Sequence, residues 1–410
     1  MSGEIFHKRL FPVGQGGFSL GVLKDGDGKM LYSYVYDCGS DQLNALRREM
    51  DVARSLFSID EEYIDTVYIS HLDSDHINGF DQLCQLVDNR IRKVVLPYLD
   101  IHESYYLVAS ELCSNSTSGL FLEFLIDPVK WVKSRLPEVE ISLLYPSDID
   151  DNFDPPVFNN DVRWDSGSSS PIKISDAKGE VECNRWLAKR ISTSAKNVLM
   201  SFVSWIPARS RAKIEIFSKH LIDNGFTGLT RQKIIKLLSR PDERKKLREC
   251  YLKLASDHNI ISVNLLVINN AKADINVRYD HHHESSLFNR RHNNRFNMLE
   301  YSGNYSVLLT GDSKLSSKLY YSQWSKFYSE VISTVKVMTL PHHGSELNFN
   351  RRMITDFSNV LFIAQSDGHS HGHPSRTVID AISSSFEHRV TLVDHDERNW
   401  VDITYCFKKS

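Results

Sequence analysis

The stretch His71-Leu72-Asp73-Ser74-Asp75-His76-Ile77-Asn78-Gly79-Phe80 follows directly on the apolar run Thr66-Val67-Tyr68-Ile69-Ser70 and leads into a helix-like pattern that begins at Phe80. The apolar run reads as a buried strand, so it delivers His71 at its carboxyl end. Four potential metal ligands, His71, Asp73, Asp75 and His76, then fall within six positions on a tight turn, where their side chains can converge on one point. A surface loop can also be rich in Asp and His, and an Asp can simply cap the next helix. The strand-loop-helix context is nevertheless the one that such a site requires.

Three further apolar runs end in the same kind of residue. Val307-Leu308-Leu309-Thr310-Gly311 leads to Asp312, and Met338-Thr339-Leu340-Pro341 leads to His342 and His343. Phe362-Ile363-Ala364-Gln365-Ser366 leads to Asp367, His369, His371 and His373. One strand-terminal histidine is more often packed or capping. Four ligand-bearing strand ends in one chain fit a single polar site at one edge of a sheet.

Outward from these strands, the first 150 residues alternate strand and helix patterns. Helices are expected over Gln42–Phe57, Tyr105–Leu112 and Gly119–Lys133, and strands over Lys93–Leu96 and Glu140–Leu144. Residues 151–258 read differently, with an Asp, Asn, Pro and Gly-rich start followed by helix-like spacing. Between Arg209 and Lys253 there are 13 Lys and Arg against five Asp and Glu, a local excess of +8 that leaves −11 for the rest of a chain whose net charge is −3. A solvated helical face is the plain reading of that run, and a phosphate-backbone contact surface is the sharper one. Strand patterns resume at Ile261–Val267, Tyr305–Leu309, Val335–Leu340, Val360–Ala364, Val390–Val393 and Trp400–Phe407. The polar segment 270–300, with its Asp280-His281-His282-His283-Glu284 tract, reads as a mobile hairpin loop whose histidines are incidental.

Length and composition bound the rest. At 410 residues, with 41% hydrophobic and 25% charged residues, the chain is an ordinary globular protein of one large domain with insertions, or of two domains. Its six cysteines form no CxxC pair, which argues against a zinc ribbon or a disulfide framework. No stretch approaches the roughly 18 apolar residues of a membrane helix, so a soluble, cytoplasmic protein without a membrane partner is expected.

The motifs together resemble the metallo-β-lactamase-fold hydrolases, and most of all the hydrolase domain of ComEC-type DNA-uptake competence proteins. The matching elements are FPVGQGG (11–17), YVYDCG (34–39), ISHLDSDHINGF (69–80), ISLLYPSD (141–148), NIISVNLLV (259–267), VLLTGD (307–312), LPHHGS (340–345) and HGHPS (371–375), in family order. The resemblance implies an α/β (α+β) fold, an αββα metallo-β-lactamase-type sandwich with a largely helical insertion. The hydrolase domain would comprise residues 1–150 and 259–410, the second part carrying the polar hairpin loop 270–300, and the basic, mostly helical insertion would be 151–258.

It also implies a dinuclear centre. His71 and Asp73 would hold the first metal, Asp75 and His76 the second, Asp312 would bridge, and His373 would complete the second position. His342 or His343 would line or ligate the centre, and both, with Asp75, are the expected catalytic residues. This chain carries Asp73 where the family at large has histidine, a substitution shared with the competence proteins, and Gly17 where the family often has aspartate. The family's middle histidine ligand has no clear counterpart, with His102 a weak candidate. Substrate contacts are expected from His369, His371, Arg209, Arg211 and Lys213.

A carboxylate in place of an imidazole makes the first position harder, which moves its preference from Zn²⁺ toward Mn²⁺ or Mg²⁺. Two divalent ions bring +4, against about −3 from Asp73, Asp75 and Asp312, so the centre keeps a positive charge that suits a phosphate. The expected cofactors are therefore two divalent metal ions, Zn²⁺ or Mn²⁺, with Mg²⁺ open. The expected function is phosphodiesterase or nuclease chemistry on DNA or RNA through a metal-activated hydroxide. The resemblance suggests a place in bacterial defence, with a protein partner on the insertion. The alternatives are a hydrolase of a small cyclic nucleotide, lactam or thioester, and a catalytically silent scaffold.

Overall fold

The computed structural model describes residues 3–58, 62–113, 119–146, 172–176, 179–192, 198–207, 212–254, 261–280, 296–368 and 372–408. Eighteen strands among them form two sheets. The first has eleven strands: β1 (Ile5–Leu10), β2 (Gly16–Lys24), β3 (Met30–Ser40), β4 (Thr66–Tyr68), β5 (Lys93–Pro97), β6 (Glu140–Leu144), β7 (Ile172–Asp176), β8 (Gly179–Asn184), β12 (Ala273–Asp280), β13 (Phe296–Gly303) and β18 (Val401–Phe407). The second has seven: β9 (Trp186–Ser192), β10 (Val198–Trp205), β11 (Asn264–Asn269), β14 (Ser306–Leu309), β15 (Val335–Thr339), β16 (Leu361–Gln365) and β17 (Arg389–Val393). The helices are α1 (Leu43–Phe57), α2 (Ser74–Ile77), α3 (Phe80–Leu86), α4 (Ile101–Glu111), α5 (Gly119–Ile126), α6 (Pro128–Arg135), α7 (Ala212–Asp223), α8 (Arg231–Leu238), α9 (Pro241–Leu252), α10 (Lys318–Phe327), α11 (Arg352–Asp356) and α12 (Arg376–Ser383).

The uninterrupted apolar runs of the second sheet make sense because both of its faces are covered. Along each strand, side chains alternate between two cores. Leu265, Val267, Val307, Leu309, Val337, Leu361 and Ile363 face the first sheet. Leu266, Leu308, Met338, Phe362 and Ala364 face an outer layer formed by α10 and α12. Between the sheets, Phe202 packs its ring on Tyr32 at 4.6 Å and on Tyr34 at 5.2 Å. On the outer layer Trp205 stacks on Phe327 at 4.1 Å, and α1 buries Leu46, Met50, Ala53 and Phe57 over the other sheet. The result is the expected αββα sandwich.

Parallel pairing brings the ligand-bearing turns to one edge. β3 runs parallel to β4, with Tyr36 opposite Tyr68, so Asp37 of β3 lies beside the turn that carries Ser70 and His71, with the Ser70 N–H donating to Asp37 Oδ1 at 2.7 Å. β14, β15 and β16 are likewise parallel, with Leu308 opposite Met338 and Thr339 opposite Ile363. The turns that follow them carry Asp312, His342 with His343, and His373.

Residues 151–258 depart from the expected helical insertion. Among its described residues, strands β7 to β10 occupy much of 172–205, and the helices α7 to α9 fall within 212–252. β8 pairs in parallel with β6, and β10 pairs with β11, so this segment extends both sheets. The helical part packs on α4, with Tyr106 5.3 Å from Phe217 and 5.1 Å from Tyr251 between ring centroids. The expected single helix over 119–133 is two, because Asp127 caps a new start at Pro128 by accepting from the Lys130 N–H at 3.0 Å. Where a loop was expected over 270–300, the described residues include two paired strands, with β12 antiparallel to β13. The DHHHE tract after Asp280 lies outside the described residues. No helix among the described residues is long and apolar enough to cross a membrane.

Candidate metal centre

Asp312 stands at the centre of the edge, 4% exposed, with each oxygen facing a different set of side chains. His71 Nε2 and His342 Nε2 both lie 3.6 Å from its Oδ2, and Asp73 Oδ2 lies 3.5 Å from His71 Nε2. His343 Nε2 lies 3.6 Å and His76 Nε2 3.9 Å from its Oδ1. Asp75 Oδ2 is 3.8 Å from His76 Nε2 and 3.9 Å from His343 Nε2. The two halves therefore match: two imidazoles, one carboxylate and one oxygen of Asp312 on each side.

The turns that achieve this are tightly specified. Gly311 has φ +50°, and a Cβ there would meet Ser262 Oγ and come within 2.9 Å of Ser70 Cβ, so glycine lets Asp312 cross between the sheets. The Asp312 N–H donates to Ser262 Oγ at 2.9 Å, and the His342 N–H donates to Gly311 O at 3.0 Å. His342 and His343 both take left-handed backbone, φ 48° and 55°, which is strained for residues with a Cβ. That strain sends two neighbouring imidazoles to opposite oxygens of one carboxylate.

Hydrogen bonds set the histidine tautomers. His343 Nδ1 lies 2.6 Å from the Gln365 carbonyl, which can only accept, so Nδ1 carries the proton and Nε2 presents a lone pair. His76 Nδ1 is held at 2.9 Å by Asp37 Oδ2. Asp37 Oδ2 also accepts from Ser70 Oγ at 2.6 Å, and that hydroxyl is 2.8 Å from His71 Nδ1. One carboxylate, 1% exposed, thereby orients an imidazole in each half. Asp37 was not among the expected site residues. Its signal was its place at the end of the apolar run of β3, in YVYDCG.

The donor set fits divalent metal. His71 Nε2 and His76 Nε2 are buried, point into the cluster and make no hydrogen bond. A buried polar atom without a partner is costly, and a cation beside these nitrogens would remove that cost. Atoms that share one first-row ion at about 2.1 Å lie roughly 3–3.6 Å apart, close to the spacings found here. His71, His76 and Asp312, and again Asp75, His76 and His343, form groups able to hold an ion. The electrostatics agree. Burial would raise the Asp312 pKa, yet the imidazoles of His342, His71, His343 and His76 hold it far below the ordinary carboxylate range. Burial, together with the Asp73 and Asp312 charges, pushes Asp75 up to about 6. Burial would lower His76, but Asp75 and Asp37 raise it to about 10. Burial lowers His343 to about 3, keeping it neutral. The cluster thus demands positive charge, and without metal it draws that charge from protons.

The other expected residues are placed differently from one another. His373, expected to complete the second position, has its ring 5.2 Å from that of His342, and His343 Nε2 lies 3.9 Å from Asp75 Oδ2. Ser366 Oγ donates to His373 O at 2.8 Å and the Ser375 N–H donates to Gly344 O at 3.0 Å, which fixes the loop on the His342 side. His102 Nδ1 lies 2.8 Å from Ser218 Oγ on α7, away from the ligand turns. Lys213 lies on α7. His369, His371, Arg209 and Arg211 lie outside the described residues.

No protein-family model and no curated protein matches the chain. Several solved structures do. Yeast PDE1, solved without ligand, is 9% identical over 99% of this chain and 100% of its own, with a TM-score of 0.40. YhfI from Bacillus subtilis, a metallo-beta-lactamase fold protein, is 10% identical over 97% of this chain and 98% of its own, with a TM-score of 0.34. The long-form RNase Z from yeast is 10% identical over 88% of this chain, which spans 36% of that enzyme, with a TM-score of 0.33. Likeness of this degree carries no weight for mechanism. The chemistry of the site rests on its own geometry.

Proposed function

We propose that the protein is a metal-dependent hydrolase of phosphodiesters that acts on DNA or RNA. The observation that carries this reading is the pair of matched ligand sets on the two oxygens of buried Asp312. His71, Asp73 and His342 would hold one divalent cation with Oδ2, and Asp75, His76 and His343 a second with Oδ1. His342 then fills the place for which no middle histidine was legible. Three carboxylates and four imidazoles suit Mn²⁺ or Zn²⁺, with Mg²⁺ a poorer match for so many nitrogens. Bound there, the cations would supply Lewis-acid polarisation of a phosphoryl oxygen and of a water.

The protein's own groups do the remaining work. Asp37 and Ser70 hold the His76 and His71 rings in register. His373, half-buried beside His342, is an imidazole outside that ligand set, and we assign it to protonating the leaving oxygen. The Lys- and Arg-rich helices α7 to α9 add a surface suited to a phosphate backbone.

Metal analysis and cleavage assays on DNA and RNA with Mn²⁺, Zn²⁺ and Mg²⁺ test this. Wild type should hold about two ions per chain, His342→Ala about one, and Asp312→Ala fewer than one, with cleavage lost in the last. Metal-free protein that cannot be reconstituted would point to a silent scaffold instead. Hydrolysis of small esters without cleavage of any polymer would point to a small-molecule enzyme.

A further inference from the structure

Outside the metal centre, a groove of about 590 Å³ lies between α11 and α12. Its polar lining is Arg351, Thr355, Arg376, Thr377, Asp380 and Ser384. Both walls continue directly from ligand turns. The turn with His342 and His343 runs through Ser345 to Arg351, with the Phe349 N–H donating to Ser345 O at 3.0 Å. The His373 loop runs through Ser375, whose N–H binds Gly344 O at 3.0 Å, into α12 at Arg376. Arg351 and Arg376 thus sit where the two ligand turns pass into the groove walls, while the Thr355 and Ser384 hydroxyls donate to the Arg352 and Ala381 carbonyls at 3.1 and 2.7 Å.

We propose that this groove carries the single strand flanking the scissile phosphodiester, with Arg351 and Arg376 on its phosphates. The inference rests on the phosphodiesterase reading and adds where a polymer substrate lies. The lining has two arginines, a residue type that commonly contacts nucleic-acid phosphates. Its acidic member, Asp380, is neutralised by Arg376 Nε at 2.9 Å, so Arg351 leaves the groove net positive. Glu346 at the mouth lies 3.5 Å from Ser375 Oγ and sets a limit on how close a phosphate can come there. The volume falls in the range of sites that take small molecules, which suits a few nucleotides of one strand rather than a duplex.

Fluorescence anisotropy on the full chain with Mn²⁺ present, using phosphorothioate-linked probes that keep the backbone charge and resist cleavage, tests the groove. The probes are labelled 3- and 12-nucleotide strands, as DNA and as RNA, over a range of KCl. Wild type should bind 12-mers better than 3-mers. The Arg351→Ala/Arg376→Ala double variant should lose about tenfold for the 12-mer and little for the 3-mer, and its salt slope should fall by about 1.4. Equal loss in DNA and RNA is expected of backbone contacts, whereas a loss confined to one would replace them with sugar-specific ones and overturn the assignment. Unchanged 12-mer affinity and slope in the double variant would overturn the groove while leaving the phosphodiesterase reading intact. Wild type that binds neither strand would overturn both.

Discussion

Lys8 lies on β1 with its side chain wholly buried, donating from Nζ to Ser19 Oγ at 3.0 Å and standing 5.1 Å from the centroid of the Tyr34 ring. Burial lowers its pKa from 10.5 to about 7. The unfolded chain therefore binds this proton more tightly than the folded one, and stability rises with pH between about 7 and 10.5. Below that window the folded protein bears the full cost of a buried ammonium, on the order of a few kcal/mol. Lys8→Met should accordingly stabilise the protein most at pH 6, with the gain shrinking steadily toward pH 10. Ser19 Oγ keeps its contact with Tyr36 O at 3.4 Å in either case. Urea unfolding of both proteins at pH 6, 8 and 9.5 measures the difference, and a gain independent of pH would show that Lys8 is not the titrating group.

The Pro341–Gly344 turn shows how an element, rather than a residue, makes the centre. Gly344 has φ +89°, and a Cβ there would come within 2.7 Å of Pro374 Cβ. Gly344→Ala should strain the turn by about 1–3 kcal/mol and shift His342 and His343 together. Metal titration should then show both affinities weakened, while circular dichroism remains that of the wild type. Weakening of one ion alone would mean that the two imidazoles are set independently. Much of this was legible in the sequence, because each ligand turn follows a short apolar run buried on both faces, as in Val307–Leu309 and Met338–Leu340. Asp37 was harder to see, since its partners Ser70 and His76 are distant in sequence and its own segment reads as plain strand. The strands at 172–205 were obscured by polar residues such as Glu182, Lys189 and Arg190. Their place is set by pairing to β6 and β11 rather than by local pattern. His343 faces Asp75 because of two left-handed residues, His342 and His343, that no periodicity announces.

Across the whole molecule, the ligands come from both sheets. His71, Asp73, Asp75 and His76 follow β4 of the first, whereas Asp312, His342 and His343 follow β14 and β15 of the second. Bound cations would therefore tie the two layers at one edge, where the metal-free protein must bury the Nε2 atoms of His71 and His76 without hydrogen-bond partners. Saturation at a hundred times the dissociation constant adds about 2.7 kcal/mol per site. For a chain of this size, chelation should lower the melting temperature by roughly 5–10 °C. The loss should be local first. Amide exchange should quicken in the turns after β4, β14 and β15, while the outer layer, anchored by Trp205 on Phe327 and by Trp324 Nε1 donating to Asn264 Oδ1 at 2.8 Å, keeps its protection. Asp312→Ala provides the control, because its melting temperature should not respond to EDTA. A wild-type protein with the same melting curve and the same exchange pattern with and without chelator would mean that packing between the sheets, and not the cations, holds that edge closed.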